Sequence, residues 1–527
     1  MVENTAPLPA TGSPAWSAIS RHRLIIAGAL FAAAGNAIAY ADAGYALASP
    51  VFALILLGSF LVPFLVALPF SRWRLANALV FAIGATHFVD VTFLADDAIA
   101  ALVVTLLPVA IVAAVLKGHA DLLLRFAGTA VAFATLSILG QQYFAPTLLT
   151  PQPFTFAESS DGKGRPYLHV ILDEMGPLSV MPSSPEYAEL EARMRSDYAR
   201  RGFAVFDDTQ VIAGATHVSL GNVLATGHDA NYEMLEDGAF AYGLGGNRLI
   251  ATLQAAHYSV SVLQSSYIDL CRTENPACRT YARSGDGAAI EAAGKTFAAR
   301  LGYAMLDLHL LLMQADATRA SSYYRTFVYL AIAAGADIPQ TRLYLARPPQ
   351  VLEQMRDATA TLSGLGRGEA FVAHLLLPHF PYVLGADCAL KDVDERAAPR
   401  WLAKPGDGVF VRDDVERAYW EQAACTHDAL MAMIDAVIES PEGKDAMIVV
   451  HGDHGSRILE KIEDPAVEDA NAEERRHALT THFAVRGIGS RIADFNRSQM
   501  LRDRVGIAIS EISGEPAPDG VATSALR

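Results

Sequence analysis

The chain has 527 residues, of which 52% are hydrophobic, with a mean hydropathy of +0.24 and a formal net charge of −16. This length exceeds one ordinary domain, and this hydropathy is high for a purely soluble protein. An acidic balance of this size excludes nucleic acid as a partner, because phosphate backbones are bound by basic surfaces.

Long apolar stretches in the first 150 residues predict five membrane-spanning helices, each close to the ~20 residues that cross a bilayer core. They lie at about 24–41, 50–70, 75–94, 98–116 and 122–141. Residues 1–150 contain six basic and six acidic residues, so the whole net charge belongs to 151–527. The stretches therefore end where an ordinary globular composition begins.

The short loops between these stretches predict the orientation in the membrane. Their basic residues are Arg21, Arg23, Arg72, Arg74, Lys117 and Arg125. These residues fill alternate loops, whereas the intervening loops carry only acidic charge. Because basic loops stay in the cytoplasm, we expect a cytoplasmic N-terminus, with everything after about residue 145 outside the cytoplasm. His87 and Asp90 are ionisable residues near the outer end of the third span, where interfacial snorkelling or a transport role would explain them.

All four cysteines lie in the part expected outside the cytoplasm, which suits an oxidising compartment. Cys271 and Cys278 are close enough to close a small loop, which leaves Cys388 and Cys425 as the second pair. Four buried free thiols are the alternative interpretation.

After position 150 the chain alternates short apolar runs with helical patterns, which is typical of a layered α/β domain. Predicted strands are 167–172, 203–206, 258–263, 370–376, 446–450 and 482–485. Predicted helices are 185–201, 219–226, 247–256, 349–362 and 413–438. The apolar but interrupted stretch 301–335 is interpreted as helices packed on this domain or lying at the bilayer surface.

These patterns divide the chain into five parts. The predicted limits are a cytoplasmic tail at 1–20, a transmembrane domain at 21–145, a linker at 146–160, an extracytoplasmic domain at 161–495 and a C-terminal tail at 496–527.

Polar residues follow two of the predicted strands at the carboxyl end, where open α/β sheets bind ligands. Asp173-Glu174-Met175-Gly176 follows the first strand, and His451-Gly452-Asp453-His454-Gly455 follows the run 446–450. Adjacent carboxylates and an imidazole are suitable ligands for a divalent cation. An acidic surface turn is the alternative for the first motif.

Two further motifs carry a hydroxyl and a histidine. Thr216-His217-Val218-Ser219 precedes a short helical pattern, so the Thr216 hydroxyl would sit at the positive end of a helix dipole and act as a nucleophile. A hydroxyl that only caps the helix is the alternative. His379 lies between two prolines and would contact a substrate oxygen, whereas His374 in the preceding apolar run is interpreted as a core residue.

The four motifs, in this order, resemble the sulfatase/alkaline-phosphatase superfamily. Asp173-Glu174-Met175-Gly176 is similar to its first metal motif, Thr216 with Ala225-Thr226-Gly227 to its nucleophile segment, His379-Phe380-Pro381-Tyr382 to its His-x-Pro-Tyr substrate motif and Asp453-His454-Gly455 to its second metal motif. The resemblance implies a central, mostly parallel sheet flanked by helices. It also implies a cation held by Asp173, Thr216, Asp453 and His454, with His379 on the transferred group.

Departures from the family pattern restrict the expected activity, the expected number of metal ions and the role expected of Glu174. Formylglycine sulfatases need a Cys-x-Pro-x-Arg segment, which is missing around Thr216. Two-metal members use an Asp-x-x-x-His motif that this sequence lacks, so we expect one divalent cation. Zn or Mn fits this ligand set best, and Ca and Mg also fit. Glu174 stands where a second Asp is usual and is assigned, with His379, to substrate binding.

Five N-terminal membrane helices are also the layout of lipoteichoic acid synthases and phosphoethanolamine transferases in this superfamily. The resemblance therefore implies a multi-pass transferase of the inner membrane that transfers a phosphoglycerol or phosphoethanolamine headgroup. Its catalytic domain, 161–495, would lie in the periplasm. Its donor would be a membrane phospholipid, and its acceptor an envelope glycan or lipid. Alternatives are a sulfatase-like hydrolase of sulfuric or phosphoric esters and a catalytically inactive scaffold for envelope assembly.

Overall fold

The computed structural model groups the chain into two compact units. The first comprises Met1–Leu149 with Gly294–Gln340, and the second comprises Thr150–Ala293 with Thr341–Arg527. The structure describes residues 14–42, 50–93, 98–119, 121–125, 128–129, 132, 163–224, 232–235, 242–265, 267–274, 276–281, 301, 305, 308, 347–391, 412–458 and 470–514.

Apolar helices form the first unit. They are α1 Pro14–Asp42, α2 Pro50–Ala67, α3 Arg74–Phe93 and α4 Ala98–Leu116. Four of the five predicted spans are thus helical, and most of the fifth, 122–141, lies outside the described residues. Within the described ranges, the segments His22–Ala39 and Phe52–Phe70 are long and apolar enough to cross a membrane.

A buried polar contact links three helices of this unit. His87 Nε2 lies 2.7 Å from Asn36 Oδ1, and Asn36 Nδ2 donates to Ser59 Oγ at 2.9 Å. His87 is only 7% exposed, so its side chain points between helices and does not reach outward. The expectation that His87 snorkels to the interface is wrong, because hydrogen bonding to neighbouring helices satisfies it instead.

A seven-stranded sheet forms the centre of the second unit, in the order β2-β10-β9-β1-β8-β5-β7. The strands in the described part of the chain are β1 Tyr167–Leu172, β2 Phe203–Gln210, β3 Tyr232–Met234, β4 Tyr242–Leu244, β5 Ser259–Ser265, β6 Ile268–Asp269, β7 Ala277–Tyr281, β8 Glu369–Leu375, β9 Met447–Gly452 and β10 Thr480–Arg486. Only β10 runs antiparallel to its neighbours, so the sheet is mostly parallel, as predicted. Strands β3, β4 and β6 form a separate small sheet.

Helices cover both faces of the central sheet. They are α5 Pro185–Arg200, α6 Thr216–Leu224, α7 Arg248–Ala255, α8 Arg347–Leu362, α9 Arg412–Ile438, α10 Ala472–Leu479, α11 Ile492–Phe495 and α12 Leu501–Ser513. On one face α6, α7 and α12 bury Leu220, Leu253 and Val505 in a cluster with the strand residues Ile171 and Val449. Parallel strands with helices on both faces place all loops that follow strands at one edge.

All six predicted strands and all five predicted helices of this unit are present, with ends shifted by a few residues. Helix α12 lies in the segment that the sequence assigned to a C-terminal tail, and its residue Leu501 is fully buried in the core. Stretch 301–335 falls in the first unit, where the described residue Leu308 is buried.

Both cysteine pairs favoured by the sequence are disulfides. Cys271 bonds to Cys278 at the start of β7, and Cys388 bonds to Cys425 in the middle of α9. The second bond fixes the segment that follows β8 to helix α9, near the loop that carries His379.

Candidate metal centre and nucleophile

The two acidic motifs meet because their strands are adjacent. β1 and β9 are parallel neighbours in which Leu172 aligns with Gly452, so Asp173 and Asp453 leave the sheet side by side. The Asp453 N–H donates to the Leu172 carbonyl at 3.2 Å. Thr481 of β10 donates its hydroxyl towards carbonyls of both loops, which fixes them relative to each other.

Four side chains converge at this edge, namely Asp173, Thr216, Asp453 and His454. His454 Nε2 lies 3.6 Å from Asp173 Oδ1 and 3.4 Å from Asp453 Oδ2. Thr216 Oγ1 lies 3.5 Å from Asp173 Oδ1 and 3.4 Å from His454 Nε2. All four residues are at most 3% exposed. The structure thus brings together every residue that the sequence nominated as a metal ligand.

A backbone contact sets the tautomer of His454. Its Nδ1 lies 2.8 Å from the carbonyl oxygen of Gly455, which can only accept a hydrogen bond. Nδ1 therefore carries the proton, and Nε2 presents a lone pair to the two carboxylates. Such an outer partner orients many metal-binding histidines. A Cβ on Gly455 would collide with the carbonyls of His477 and Thr480, so only glycine fits here.

His374 joins this cluster, although the sequence placed it in the core. One ligand atom from each of Asp173, His374 and Asp453 lies within 4.8 Å of the others. Within the described part of the chain neither ring nitrogen of His374 has a hydrogen-bond partner. Burial lowers the pKa of His374 to about 4, so the ring is neutral and can donate a lone pair. A buried imidazole without partners is costly unless something binds it.

The charges at this edge do not balance. Asp173, Glu174 and Asp453 are three buried carboxylates, and Arg457 is the one guanidinium paired with them in the described structure. Burial raises the pKa of Asp453, because the charged form is poorly solvated. The four groups together carry two excess negative charges when ionised. A divalent cation would neutralise them, so the residues present fit such an ion.

Glu174 has a different environment from Asp173. Arg457 Nε donates to Glu174 Oε1, while Oε2 accepts from the Phe380 N–H at 3.1 Å and the Tyr382 hydroxyl at 3.2 Å. Arg457 Nη2 also donates to His379 Nε2 at 2.6 Å. Glu174 therefore orients Arg457 and the His379 loop. Arg457 was not predicted as a site residue, although a basic residue just after the second metal motif was the available signal.

Gln422 of helix α9 holds the loop that carries His379 through hydrogen bonds. Gln422 Nε2 donates to the carbonyls of Pro378 and His379, each at 3.0 Å, and its Oε1 accepts from the Val383 N–H at 2.9 Å. The His379 Nδ1–H donates to the carbonyl of Phe380, so Nε2 is the nitrogen that accepts from Arg457. This fixed loop places one imidazole and one guanidinium together beside the carboxylates.

Helix α6 begins at Thr216, three residues before the predicted start at 219. The Thr216 hydroxyl lies by Asp173 and His454, while the Ser219 N–H bonds to the Ala215 carbonyl, so Thr216 does not cap the helix through that amide. Ser219 Oγ donates to the Asp453 carbonyl and supports the second metal motif. The predicted Ala225-Thr226-Gly227 segment lies outside the described residues.

No family model and no curated protein matches this chain. Among solved structures, it aligns with the C-terminal periplasmic domain of EptC from Escherichia coli, at 13% identity and a TM-score of 0.36, covering 69% of this chain and 86% of that one. The corresponding domain of phosphoethanolamine transferase EptC from Campylobacter jejuni aligns at 10% identity and 0.36, covering 68% and 92%. BT1596, a 2-O GAG sulfatase, aligns at 10% identity and 0.35, covering 68% and 72%.

The structural neighbours are thus periplasmic domains of phosphoethanolamine transferases and sulfatases, the classes that the sequence motifs resemble. At these identities and TM-scores the similarity does not indicate a function for this chain. The function is inferred from the residues of the site.

Proposed function

We propose that this protein is a membrane-bound, metal-dependent enzyme that transfers a phospho-headgroup through Thr216. The observation that carries the proposal is the convergence of a buried hydroxyl with two carboxylates and an imidazole at the carboxyl edge of the sheet. Asp173, Thr216, Asp453 and His454 would hold one divalent cation, with Zn or Mn as the best match to these ligands. One of the aligned EptC domains was crystallised in complex with Zn.

Thr216 is the nucleophile in this proposal. Its hydroxyl gives up a proton, and its oxygen forms a bond to the phosphorus of a phosphodiester. The bond from phosphorus to the lipid oxygen breaks, the lipid alcohol leaves with a proton, and the phospho-headgroup remains on Thr216. An acceptor hydroxyl then attacks the same phosphorus and releases Thr216. A divalent cation held by Asp173, Thr216, Asp453 and His454 would supply Lewis-acid activation of the hydroxyl and neutralise charge on the phosphate. Helix α6 begins at this residue, so its dipole favours the anionic group as well.

Arg457 and His379 would bind the transferred group. The guanidinium can hold phosphate oxygens, because its planar donors match them. His379 Nε2 lies at the same point and, because it is unprotonated, can take a proton from an attacking oxygen. Glu174, assigned to substrate binding by the sequence, would act through Arg457.

The proposed donor is a membrane phospholipid, and the acceptor an envelope glycan or lipid. The apolar helices of the first unit support a location at a lipid surface. We further propose five spans, a cytoplasmic N-terminus and a periplasmic catalytic domain, on the basis of the alternating basic and acidic loops.

Mass spectrometry tests this function directly. Purified protein is incubated with total lipid extract and searched for a modified Thr216, with Thr216→Ala as the control. A phosphoglycerol or phosphoethanolamine adduct on Thr216 supports the transferase, and its passage to an added glycan or lipid identifies the acceptor. Release of the group only to water would identify a hydrolase, and no adduct or product from any lipid would refute both.

A further inference from the structure

A chain of three buried polar side chains lies behind the candidate metal centre and has no part in the proposed chemistry. Tyr167 and His169 belong to β1, and His451 belongs to the adjacent strand β9. Each is fully buried on the face of the sheet that also carries the apolar residues Ile171 and Phe483. Polar groups in such a core lower stability unless they are hydrogen-bonded. The three side chains therefore need hydrogen-bond partners within the core.

The three side chains form one continuous hydrogen-bonded line. Tyr167 Oη lies 2.8 Å from His169 Nδ1, and His169 Nε2 lies 2.8 Å from His451 Nε2. His451 Nδ1 lies 2.9 Å from the carbonyl oxygen of Gly452. The line ends on the peptide group between Gly452 and Asp453.

The contacts determine where each proton lies. A carbonyl oxygen only accepts, so His451 Nδ1 is the protonated nitrogen and Nε2 of the neutral ring is an acceptor. His169 must then donate from Nε2, which leaves its Nδ1 to accept from the Tyr167 hydroxyl. Every donor in the line points towards Gly452. Hydrogen bonds aligned in this way polarise and strengthen one another.

The peptide group at the end of the line, between Gly452 and Asp453, leads directly into the second metal motif. Gly452 is packed so tightly that an added Cβ would meet the Met175 carbonyl and the Thr481 hydroxyl. The next residue, Asp453, accepts on Oδ1 from the Glu174 N–H at 3.0 Å and the His454 N–H at 2.8 Å. A rotation of the 452–453 peptide would therefore displace both the Asp453 carboxylate and His454.

We propose that Tyr167 and His169 are positioning residues that act through His451 to hold the 452–453 peptide in the orientation that cation binding requires. This inference rests on the proposed function, because it presupposes a cation on Asp453 and His454. Changes to residues that orient metal ligands typically weaken binding by ~10–100-fold.

The experiment compares variants of His169 in the full chain in detergent, with zinc and manganese each titrated alone. His169→Leu removes the donor to His451 and should weaken cation binding by ~10–100-fold. His169→Gln places an amide N–H near the position of Nε2 and should restore most of the affinity. Tyr167→Phe, which keeps the ring but removes the first donor, should have an intermediate effect.

A similar pair on the opposite face of the sheet provides the control. Tyr198 of α5 and His482 of β10 are both fully buried, and Tyr198 Oη lies 2.9 Å from His482 Nε2. Phe483 shares the face of its partner His451, so its neighbour His482 points the other way. Tyr198→Phe and His482→Leu should lower the melting temperature about as much as the β1 variants do, with unchanged cation affinity.

Each outcome decides between the possibilities. Weakened binding in His169→Leu, rescue in His169→Gln and normal binding in both control variants support the inference. Normal binding in His169→Leu, or equal losses on both faces, would overturn it while the proposed function stands. A wild-type protein that binds neither metal would overturn both.

Discussion

Thr216 is the residue on which the proposed chemistry depends. Thr216→Ala should lower activity by several orders of magnitude, because it removes the attacking oxygen, and the retained Asp173, Asp453 and His454 should still bind metal. Thr216→Ser supplies the same oxygen with a less restricted χ1 and should keep partial activity. Initial rates of headgroup transfer and metal content by elemental analysis would measure both effects.

Ser219 gives a matched control three residues further along helix α6. Its hydroxyl bonds to the Asp453 carbonyl, so Ser219→Ala should cost about 1 kcal/mol of stability and only a modest part of the activity. An inactive Ser219→Ala together with an active Thr216→Ala would move the nucleophile to position 219.

The ligand set predicts one divalent cation per chain. Asp453→Asn should lose metal and activity together, because it weakens a ligand and removes one of the excess negative charges. Glu174→Gln should retain the metal, since its carboxylate is paired with Arg457. Elemental analysis of the three proteins measures this. Two tightly bound ions in the wild type, or full occupancy in Asp453→Asn, would contradict the prediction.

At the scale of the elements, buried histidines make the sheet sensitive to acid. Burial lowers the pKa of His482 on β10 to about 3 and also lowers that of His427 on α9. The unfolded chain takes up protons near pH 6.5, whereas the folded chain does not, so stability is complete above this pH and falls below it. For each such histidine, the free energy of unfolding should fall by about 1.4 kcal/mol for every unit by which the pH is lowered. This holds between the pKa of the histidine in the unfolded chain and its lower pKa in the folded chain.

Denaturant unfolding of the full chain with a chelator present, at pH 7 and pH 5, would measure this loss. His482→Gln should reduce the slope, because one titrating group is removed, whatever its effect on absolute stability. An unchanged slope in that variant would show that His482 does not contribute.

Local sequence patterns predicted those elements and motifs whose residues are neighbours along the chain. The run 167–172 followed by Asp173 defines both a strand and its functional end, and the structure contains β1 with these bounds. His374 is fully buried, as predicted for a core residue, but its proximity to Asp173 and Asp453 was not predicted. That proximity depends on the pairing of β8 with β1, which aligns His374 with Ile171 from a distant part of the chain. Helix α12 was missed because Met500 provides no side-chain cap that would mark its start.

At the scale of the whole molecule, the alternating loops predict five crossings. Fusions of an exported reporter after residues 45, 97 and 150 should be active, and those after 72 and 118 inactive, because basic loops remain in the cytoplasm. Enzyme activity of the reporter in intact cells measures each position. An inactive fusion at 150 would place the catalytic domain in the cytoplasm and exclude the proposed topology.

Helix α12 completes one face of the catalytic domain, with Leu501 and Val505 in the core and Arg504 paired with Asp208 at 2.7 Å. Synthesis reaches this helix only after every candidate ligand between Asp173 and His454 has been made. On the proposed topology the domain is threaded outwards during synthesis, so its core closes last and on the far side of the membrane. The site would consequently acquire its ion from the envelope, and the metal content of the enzyme would follow the supply there and not the cytoplasmic pool.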